Sequence, residues 1–213
     1  MKLIKTTLLA FSITLGSCSS YHPDNGKTLQ KKRATQDFIY TNPKGVAVDL
    51  KKISFKTNGM VRTENPDVLG IGGTTYTYTR YGAWNSRTGQ QDVFAMGDAP
   101  SQQMDLHDDQ IYYGRALRSA NQSVYDNRLT YALNFNDNSF EGFSVSIPDR
   151  YTFGNSIVMH GKMQGDTLMG TVESGNDKGR FSGQFYGPNG IEFVGIARFD
   201  NPNLDFSFGG DKQ

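Results

Sequence analysis

Residues 181–195 read FSGQFYGPNGIEFVG, and this stretch decides the fold. It predicts two strands joined by a tight turn, because apolar residues alternate on both sides of the GPNG sequence at 187–190. Proline presets φ in such a turn, and glycine and asparagine tolerate positive φ. One face of the first strand is formed by Phe181, Gly183 and Phe185, and one face of the second by Phe193, Gly195, Ala197 and Phe199. Small residues alternating with aromatic ones fit the inside of a small barrel.

Eight candidate strands can be read from residue 111 onward, and short turns between them predict antiparallel neighbours. They span residues 111–117, 128–135, 139–146, 156–163, 166–173, 178–186, 190–199 and 203–208. Apolar residues predicted to share a face are Leu129, Tyr131, Leu133 and Phe135; Phe143, Val145 and Ile147; Ile157, Met159 and Met163; and Leu204, Phe206 and Phe208. The longest connection lies between Arg118 and Asn127, and we expect a binding loop there.

The residues before the barrel also predict strands, over shorter stretches. Segments at 38–40, 46–48, 52–55 and 59–61 alternate with turn signals, and residues 74–81 form the strongest strand pattern. The glycine-rich run at 69–73 is not followed by a helix, so we interpret it as a hairpin or a flexible loop and not as a nucleotide site.

Three motifs resemble one known family. Residues 183–195 fit the pattern Gly-x-Phe-Tyr-Gly-Pro-x-x-x-Glu-x-x-Gly, which resembles the signature hairpin of the transferrin-binding protein B family, with departures at Gly190 and Ile191. Residues 206–213 resemble the ending of these barrels, and residues 78–84 resemble the segment that closes their handle domain. The resemblance implies an all-β fold: a small β-rich handle domain at 37–105, then a C-terminal eight-stranded antiparallel β-barrel at 106–213.

The N-terminus predicts export. Lys2 and Lys5 precede a short apolar run, so residues 1–17 are predicted to be a signal peptide. Leu-Gly-Ser-Cys at 15–18 resembles a bacterial lipobox, which implies that Cys18, the single cysteine, is lipidated. The alternative is an ordinary signal peptide that happens to contain Cys18. Residues 18–36 are interpreted as a flexible tether, and the alternative is a specific basic site at 31–33.

The charge balance argues against two kinds of partner. Removing residues 1–17 takes away two lysines and no acid, which leaves 20 basic against 21 acidic residues and a formal charge of −1. A chain with so little net charge is not expected to bind nucleic acid or to bind a membrane surface through its charge.

Five residues are candidate partner contacts: Tyr81, Trp84, Arg87, Tyr125 and Arg128. Tyr, Trp and Arg dominate binding hot spots, and loops on a rigid β scaffold are typical binding elements. For Tyr81 and Trp84 the competing interpretation is packing in the handle core or between handle and barrel, which we favour because tight turns surround them.

The sequence contains few features that are typical of a catalytic, metal-binding or cofactor-binding site. We expect no enzyme, because no nucleophile motif or pair of carboxylates in a motif context is present, and we expect no metal site. His107 and His160 are candidate haem ligands, since some relatives of the family carry haem, although strand alternation places His160 on the outer face. Haem is therefore the one cofactor considered.

The resemblance implies the function. It predicts a monomeric outer-membrane lipoprotein, displayed at the cell surface, that binds a host factor for iron or haem acquisition: transferrin, haemoglobin or haem. An outer-membrane transporter would be a further partner. The alternatives are a lipoprotein that binds complement factor H for immune evasion, and a structural envelope lipoprotein without a host ligand.

Overall fold

The structure is a computed structural model, and it describes residues 38–53, 61–64, 66–98, 104, 109–134, 137–144 and 156–212. All of the described residues belong to one compact unit. Within the described residues, no helix is long and apolar enough to cross a membrane. Cys18, the tether at 18–36, the signal peptide at 1–17 and His107 lie outside the described residues.

A closed barrel of eight antiparallel strands forms the larger part of the described chain, which confirms the predicted fold class. Its strands are β7 (Gln110–Ala120), β8 (Ser123–Asn134), β9 (Ser139–Ser144), β10 (Ile157–Gln164), β11 (Thr167–Ser174), β12 (Asp177–Tyr186), β13 (Glu192–Phe199) and β14 (Phe206–Lys212). Each pairs with its neighbours in sequence, and β14 closes on β7. The proposed boundary between residues 105 and 106 falls outside the described residues and stays a prediction.

The predicted binding loop between Arg118 and Asn127 is wrong, because β7 and β8 run almost directly into each other. Their last pair is Ala120 with Ser123, so the connection has only two residues. Asn121 and Gln122 both take positive φ, at 48° and 56°. This geometry closes a two-residue hairpin turn, which asparagine adopts readily and glutamine rarely does.

Aromatic and aliphatic side chains fill the barrel as the alternation predicts. On the signature hairpin Phe181, Phe185, Phe193 and Ala197 are buried, and Phe199 is partly buried. The other buried residues of the predicted inward faces are Leu129, Tyr131, Leu133, Ile157, Met159, Phe206 and Phe208. Phe193 lies at the centre, with its ring centroid 4.7 Å from that of Tyr131. Tight packing of this kind stabilises a barrel that has no disulfide.

The predicted inward face of β9 is wrong. Phe143 points outward and is 47% exposed, whereas Phe140, Gly142 and Ser144 point inward. Gly142 suits the inward position because a Cβ there would lie 2.9 Å from the Tyr131 ring. Phe135, Val145 and Ile147 lie outside the described residues.

The signature turn has the predicted backbone. A short 3-10 helix spans Pro188–Gly190, and Gly187, Asn189 and Gly190 have φ values of 74°, 51° and 62°. The Tyr112 hydroxyl donates to the Gly190 carbonyl across 2.8 Å, which fixes the turn to the barrel interior.

The described residues between 38 and 98, which we call the handle, form a hairpin and a four-stranded sheet. The strands are β1 (Ile39–Thr41), β2 (Ala47–Asp49), β3 (Val61–Thr63), β4 (Val68–Gly72), β5 (Thr79–Asn85) and β6 (Gln91–Gly97). The glycine-rich run, predicted as a hairpin or loop, is therefore strand β4. The strong strand pattern at 74–81 is also only partly right, because the strand begins at Thr79 and residues 74–78 form turns that contact the barrel.

Candidate functional site

Tyr81 lies between the handle and the barrel and is 1% exposed. Its ring packs against Gly72 of the handle and Gly209 of the barrel. A Cβ added at Gly72 would lie 2.4 Å from the ring and one added at Gly209 would lie 2.6 Å from it, so only glycine leaves room for the ring at these two positions. Beside it, the Ser207 hydroxyl donates to the Gly82 carbonyl across 2.8 Å. Tyr81 is thus placed to pack the two parts of the lobe together, in agreement with the packing interpretation.

Trp84 lies in the core of the handle and is 2% exposed. It packs with Phe38, Tyr40, Leu50, Leu69, Ile71 and Phe94. On the outer side, the Lys44 ammonium lies 5.7 Å from the ring centroid, a cation–π distance. A side chain enclosed in this way presents almost no area to a partner.

Arg87 occupies the exposed turn between β5 and β6. The turn is held by its own hydrogen bonds: the Ser86 amide donates to the Gln90 carbonyl and the Gly89 amide to the Ser86 carbonyl, across 2.8 and 3.1 Å. The Gln90 amide donates to the Ser86 hydroxyl across 2.8 Å. A rigid turn with an exposed guanidinium loses little conformational entropy when it binds a partner.

Hydrogen bonds connect this turn to the nearby end of the barrel. The Asn85 amide group donates to the Ser119 hydroxyl across 2.8 Å, next to the β7–β8 turn. The Gln91 amide group donates to Asn203 across 3.0 Å, in the β13–β14 connection. We call the three turns at this end, residues 86–90, 121–122 and 200–205, the turn surface. Their exposed side chains are mostly amides and hydroxyls, with Arg87 as a basic group and Asp200 as an acidic one.

Tyr125 and Arg128 both lie on β8 and not on a loop. Tyr125 is half-buried and pairs with Arg118 near the turn surface, whereas Arg128 is exposed on the barrel wall, opposite Arg115. Arg118 is 5% exposed and donates to the Ser174 hydroxyl across 3.1 Å. Burial lowers the pKa of Arg118 to about 10, and the charges of Asp205 and Asp177 partly oppose this shift.

His160 lies on the outer face of β10, as the alternation predicts, and its side chain is 62% exposed. Its Nδ1 lies 3.7 Å from a Glu141 carboxylate oxygen on the neighbouring strand. A haem ligand normally lies in an apolar pocket, and this exposed cross-strand pair has no such surroundings. Among the described residues, no group of three or more His, Cys, Asp or Glu side chains is placed to hold a metal ion.

Glu192, the glutamate of the signature hairpin, was not predicted from the sequence as a site residue. It begins β13, is 5% exposed, and accepts three hydrogen bonds from the handle. The donors are the Thr77 amide, the Tyr78 amide and the Thr79 hydroxyl, across 2.6, 2.9 and 2.9 Å. Burial raises the pKa of Glu192 above its ordinary value, and these hydrogen bonds and the charge of Arg80 oppose this shift only in part. One signal was available: between Arg180 and Arg198, Glu192 is the only charged residue.

Several solved structures have a similar fold. HpuA from Kingella denitrificans, solved in complex with human haemoglobin, superposes with a TM-score of 0.62 at 20% identity, covering 82% of this chain and 76% of that chain. Transferrin-binding protein B from Neisseria meningitidis gives 0.59 at 16% identity, covering 81% of this chain and 38% of that chain. A Trp-176-Ala mutant of the Haemophilus parasuis protein gives 0.58 at 17% identity, covering 79% and 39%.

At these identities the structural matches establish the fold, and this chain spans about two fifths of the transferrin-binding protein B chains. A comparison with curated protein sequences finds no match. The family of C-lobe and N-lobe β-barrels of Tf-binding protein B matches residues 73–212, which covers β5, β6 and the whole barrel. The chain therefore belongs to the family of the C-lobe and N-lobe β-barrels of Tf-binding protein B.

Proposed function

We propose that this protein is a lipoprotein of the outer-membrane surface that binds a host iron-carrying protein, haemoglobin or transferrin. The observation that carries the proposal is family membership over residues 73–212, together with a shared fold with HpuA, which was crystallised with human haemoglobin. The protein would act by binding alone, as a receptor that captures the host protein and passes its iron source to an outer-membrane transporter.

The turn surface is the contact site we propose. Its three turns come from both the handle and the barrel, and hydrogen bonds at Asn85 and Gln91 hold them together. Rigid turns that carry amides and one guanidinium match the polar, hydrogen-bonding part of a protein–protein interface. Arg87 is the foremost contact, Tyr125 lies beside the surface, and Arg128 lies outside it on the barrel wall.

The anchor would be a lipid on Cys18, with residues 18–36 as a tether that keeps the lobe clear of the membrane. With a single lobe on its tether, the protein would bind its partner as a monomer. No bound cofactor is needed for capture of a host protein, and haem ligation by His107 or His160 would be a separate activity.

The experiment uses the chain from Ser19, which contains all of the described residues. Human haemoglobin and human transferrin are immobilised separately, and binding is followed by biolayer interferometry. Arg87→Ala is compared with Arg180→Ala, which removes an exposed arginine from β12 on the barrel wall. We expect saturable binding to one of the two proteins, weakened about tenfold by Arg87→Ala and unchanged by Arg180→Ala.

Two results would contradict the proposal. Binding to neither protein would leave the family membership as evidence of fold alone, and binding of complement factor H in a parallel channel would move the function to immune evasion. A haemin titration tests the cofactor separately: a Soret band that shifts in His107→Ala or His160→Ala would establish direct haem binding.

A further inference from the structure

The signature hairpin of the barrel is hydrogen-bonded to the handle through the side chain of Glu192. Both carboxylate oxygens of Glu192 accept hydrogen bonds, and all three donors belong to residues 77–79 of the handle. The shortest distance, 2.6 Å from the Thr77 amide, is typical of a hydrogen bond to an ionised group. A buried carboxylate with several donors ties the two parts together more strongly than an exposed ion pair would.

The same hairpin and the handle also interlock through glycines. A Cβ at Gly187 of the hairpin would lie 2.5 Å from the Tyr78 ring, and a Cβ at Gly97 of the handle would lie 2.2 Å from the Tyr186 ring. Each part therefore presents a glycine to a tyrosine of the other. Tyr186 is the cross-strand partner of Glu192 and the Tyr78 amide donates to it, so this reciprocal contact lies next to Glu192 and restricts the directions in which the handle can rotate.

The handle segment at 73–78 depends on these contacts for its shape. Its local backbone bonds include those from the Tyr76 amide to the Gly73 carbonyl and from the Asp98 amide to the Tyr78 carbonyl, across 3.0 and 2.8 Å. The amides of Thr77 and Tyr78 donate to Glu192, where a strand would donate to a neighbouring strand. The entry into β5 is thus defined by a barrel side chain.

The position of β5 determines the position of Arg87. From Thr79 to Asn85 the strand extends about 20 Å, at about 3.3 Å per residue. A rotation of about 5° at the Glu192 end would displace the Arg87 turn by about 2 Å. Such a shift would break hydrogen bonds of 2.8 to 3.0 Å between handle and barrel at the turn surface.

We infer that Glu192 is a positioning residue, which sets the orientation of the handle on the barrel and thereby the alignment of the turn surface. The inference rests on the proposed function only for its consequence in binding. The orientation itself can be measured in the absence of any partner.

The test compares Glu192→Gln with Glu173→Gln, a matched control on the barrel wall whose carboxylate lies 3.3 Å from Lys178. Residual dipolar couplings of backbone amides are measured in β4–β6 and in β7–β14. In the unchanged protein and in Glu173→Gln, one alignment tensor should fit both sets. In Glu192→Gln the handle should need a different tensor, and hydrogen exchange at Thr77 and Tyr78 should accelerate at least tenfold, while exchange at Leu129 and Tyr131 stays unchanged.

A second variant covers the case in which Glu192→Gln does not fold. Thr79→Val removes one donor at nearly constant volume, and we expect a smaller change in the same direction. A common tensor for both parts in both variants would overturn the inference. If the tensors diverge and affinity for haemoglobin or transferrin falls about tenfold, the inference holds in full. If the tensors diverge but Glu192→Gln binds haemoglobin or transferrin with unchanged affinity, the link between handle orientation and the turn surface is wrong. If the protein without any substitution binds neither partner, the proposed function fails, and the result on handle orientation still stands.

Discussion

Trp84→Ala separates packing from partner contact at the candidate site. The side chain is 2% exposed and packs with six other residues of the handle core, so its removal leaves a large cavity. Replacement of a buried aromatic residue by alanine costs about 3 to 5 kcal/mol, and loss of the cation–π contact with Lys44 adds about 0.5 kcal/mol. We therefore expect the free energy of unfolding to fall by about 4 kcal/mol, with a Tm lower by about 8 to 16 °C.

The assay is urea unfolding followed by far-ultraviolet circular dichroism, because the substitution removes the only tryptophan and with it the intrinsic tryptophan fluorescence. Arg87→Ala is the control, and as an exposed turn substitution it should change stability by less than about 0.5 kcal/mol. An unchanged urea midpoint in Trp84→Ala, combined with weaker partner binding, would refute the packing argument and restore Trp84 as a contact residue.

Three further predictions concern the barrel and its junction with the handle. Among the described residues the buried Tyr131 hydroxyl has no hydrogen-bond partner, so Tyr131→Phe should stabilise the protein by about 1 kcal/mol, whereas Tyr112→Phe should destabilise it by about 1 kcal/mol through loss of the bond to Gly190. Gly97→Ala should cost about 2 kcal/mol in thermal or urea unfolding, because its Cβ would meet the Tyr186 ring. Alkaline pH should unfold the protein cooperatively, with tyrosinate absorbance at 295 nm rising together with loss of structure, since burial raises the pKa of Tyr40, Tyr76, Tyr81, Tyr112, Tyr131 and Tyr186.

The sign of the alkaline effect follows from these raised pKa values. In the unfolded chain the tyrosines ionise near pH 10, while the folded state keeps their protons to higher pH, to about 12 for Tyr186. The stability is therefore present below pH 10 and is lost as pH rises, by up to about 1.4 kcal/mol per pH unit for each tyrosine. Ionisation of these six tyrosines near pH 10 without unfolding would contradict the burial described here. Equal effects of Tyr131→Phe and Tyr112→Phe would contradict the assigned hydrogen bonds, and a neutral Gly97→Ala would contradict the close handle–barrel packing.

The barrel could be predicted from the sequence because its pattern is local. A period of two places Phe181, Phe185 and Phe193 on the inner face of the barrel, and this prediction does not depend on the sequences of the neighbouring strands. The turn at 187–190 has residues suited to positive φ. Phe143 shows where this reasoning fails. Its outward position depends on cross-strand partners, since Gly142 must face the Tyr131 ring, and no local pattern records that requirement.

The junction and the candidate site could be predicted only in part, because they depend on contacts between distant residues. Residues 74–78 have strong β propensity, yet they form turns. The Thr77 amide donates to the carboxylate of Glu192, which lies more than 110 positions away in the sequence, and not to a neighbouring strand. Tyr81 and Trp84 were correctly considered as packing residues, but their exposure depends on how the sheet folds over the barrel. The tight β7–β8 turn was missed because Asn121-Gln122 lacks the glycine that usually marks such a turn.

The measurement that tests the central claim most directly is the affinity of the chain from Ser19 for purified human haemoglobin and for purified human transferrin, each with and without Arg87→Ala. We expect saturable binding to one of them, about tenfold weaker in Arg87→Ala, with the same Tm for the original chain and the Arg87→Ala variant. Binding to neither, or binding that Arg87→Ala leaves unchanged, would contradict capture of a host iron protein by the turn surface.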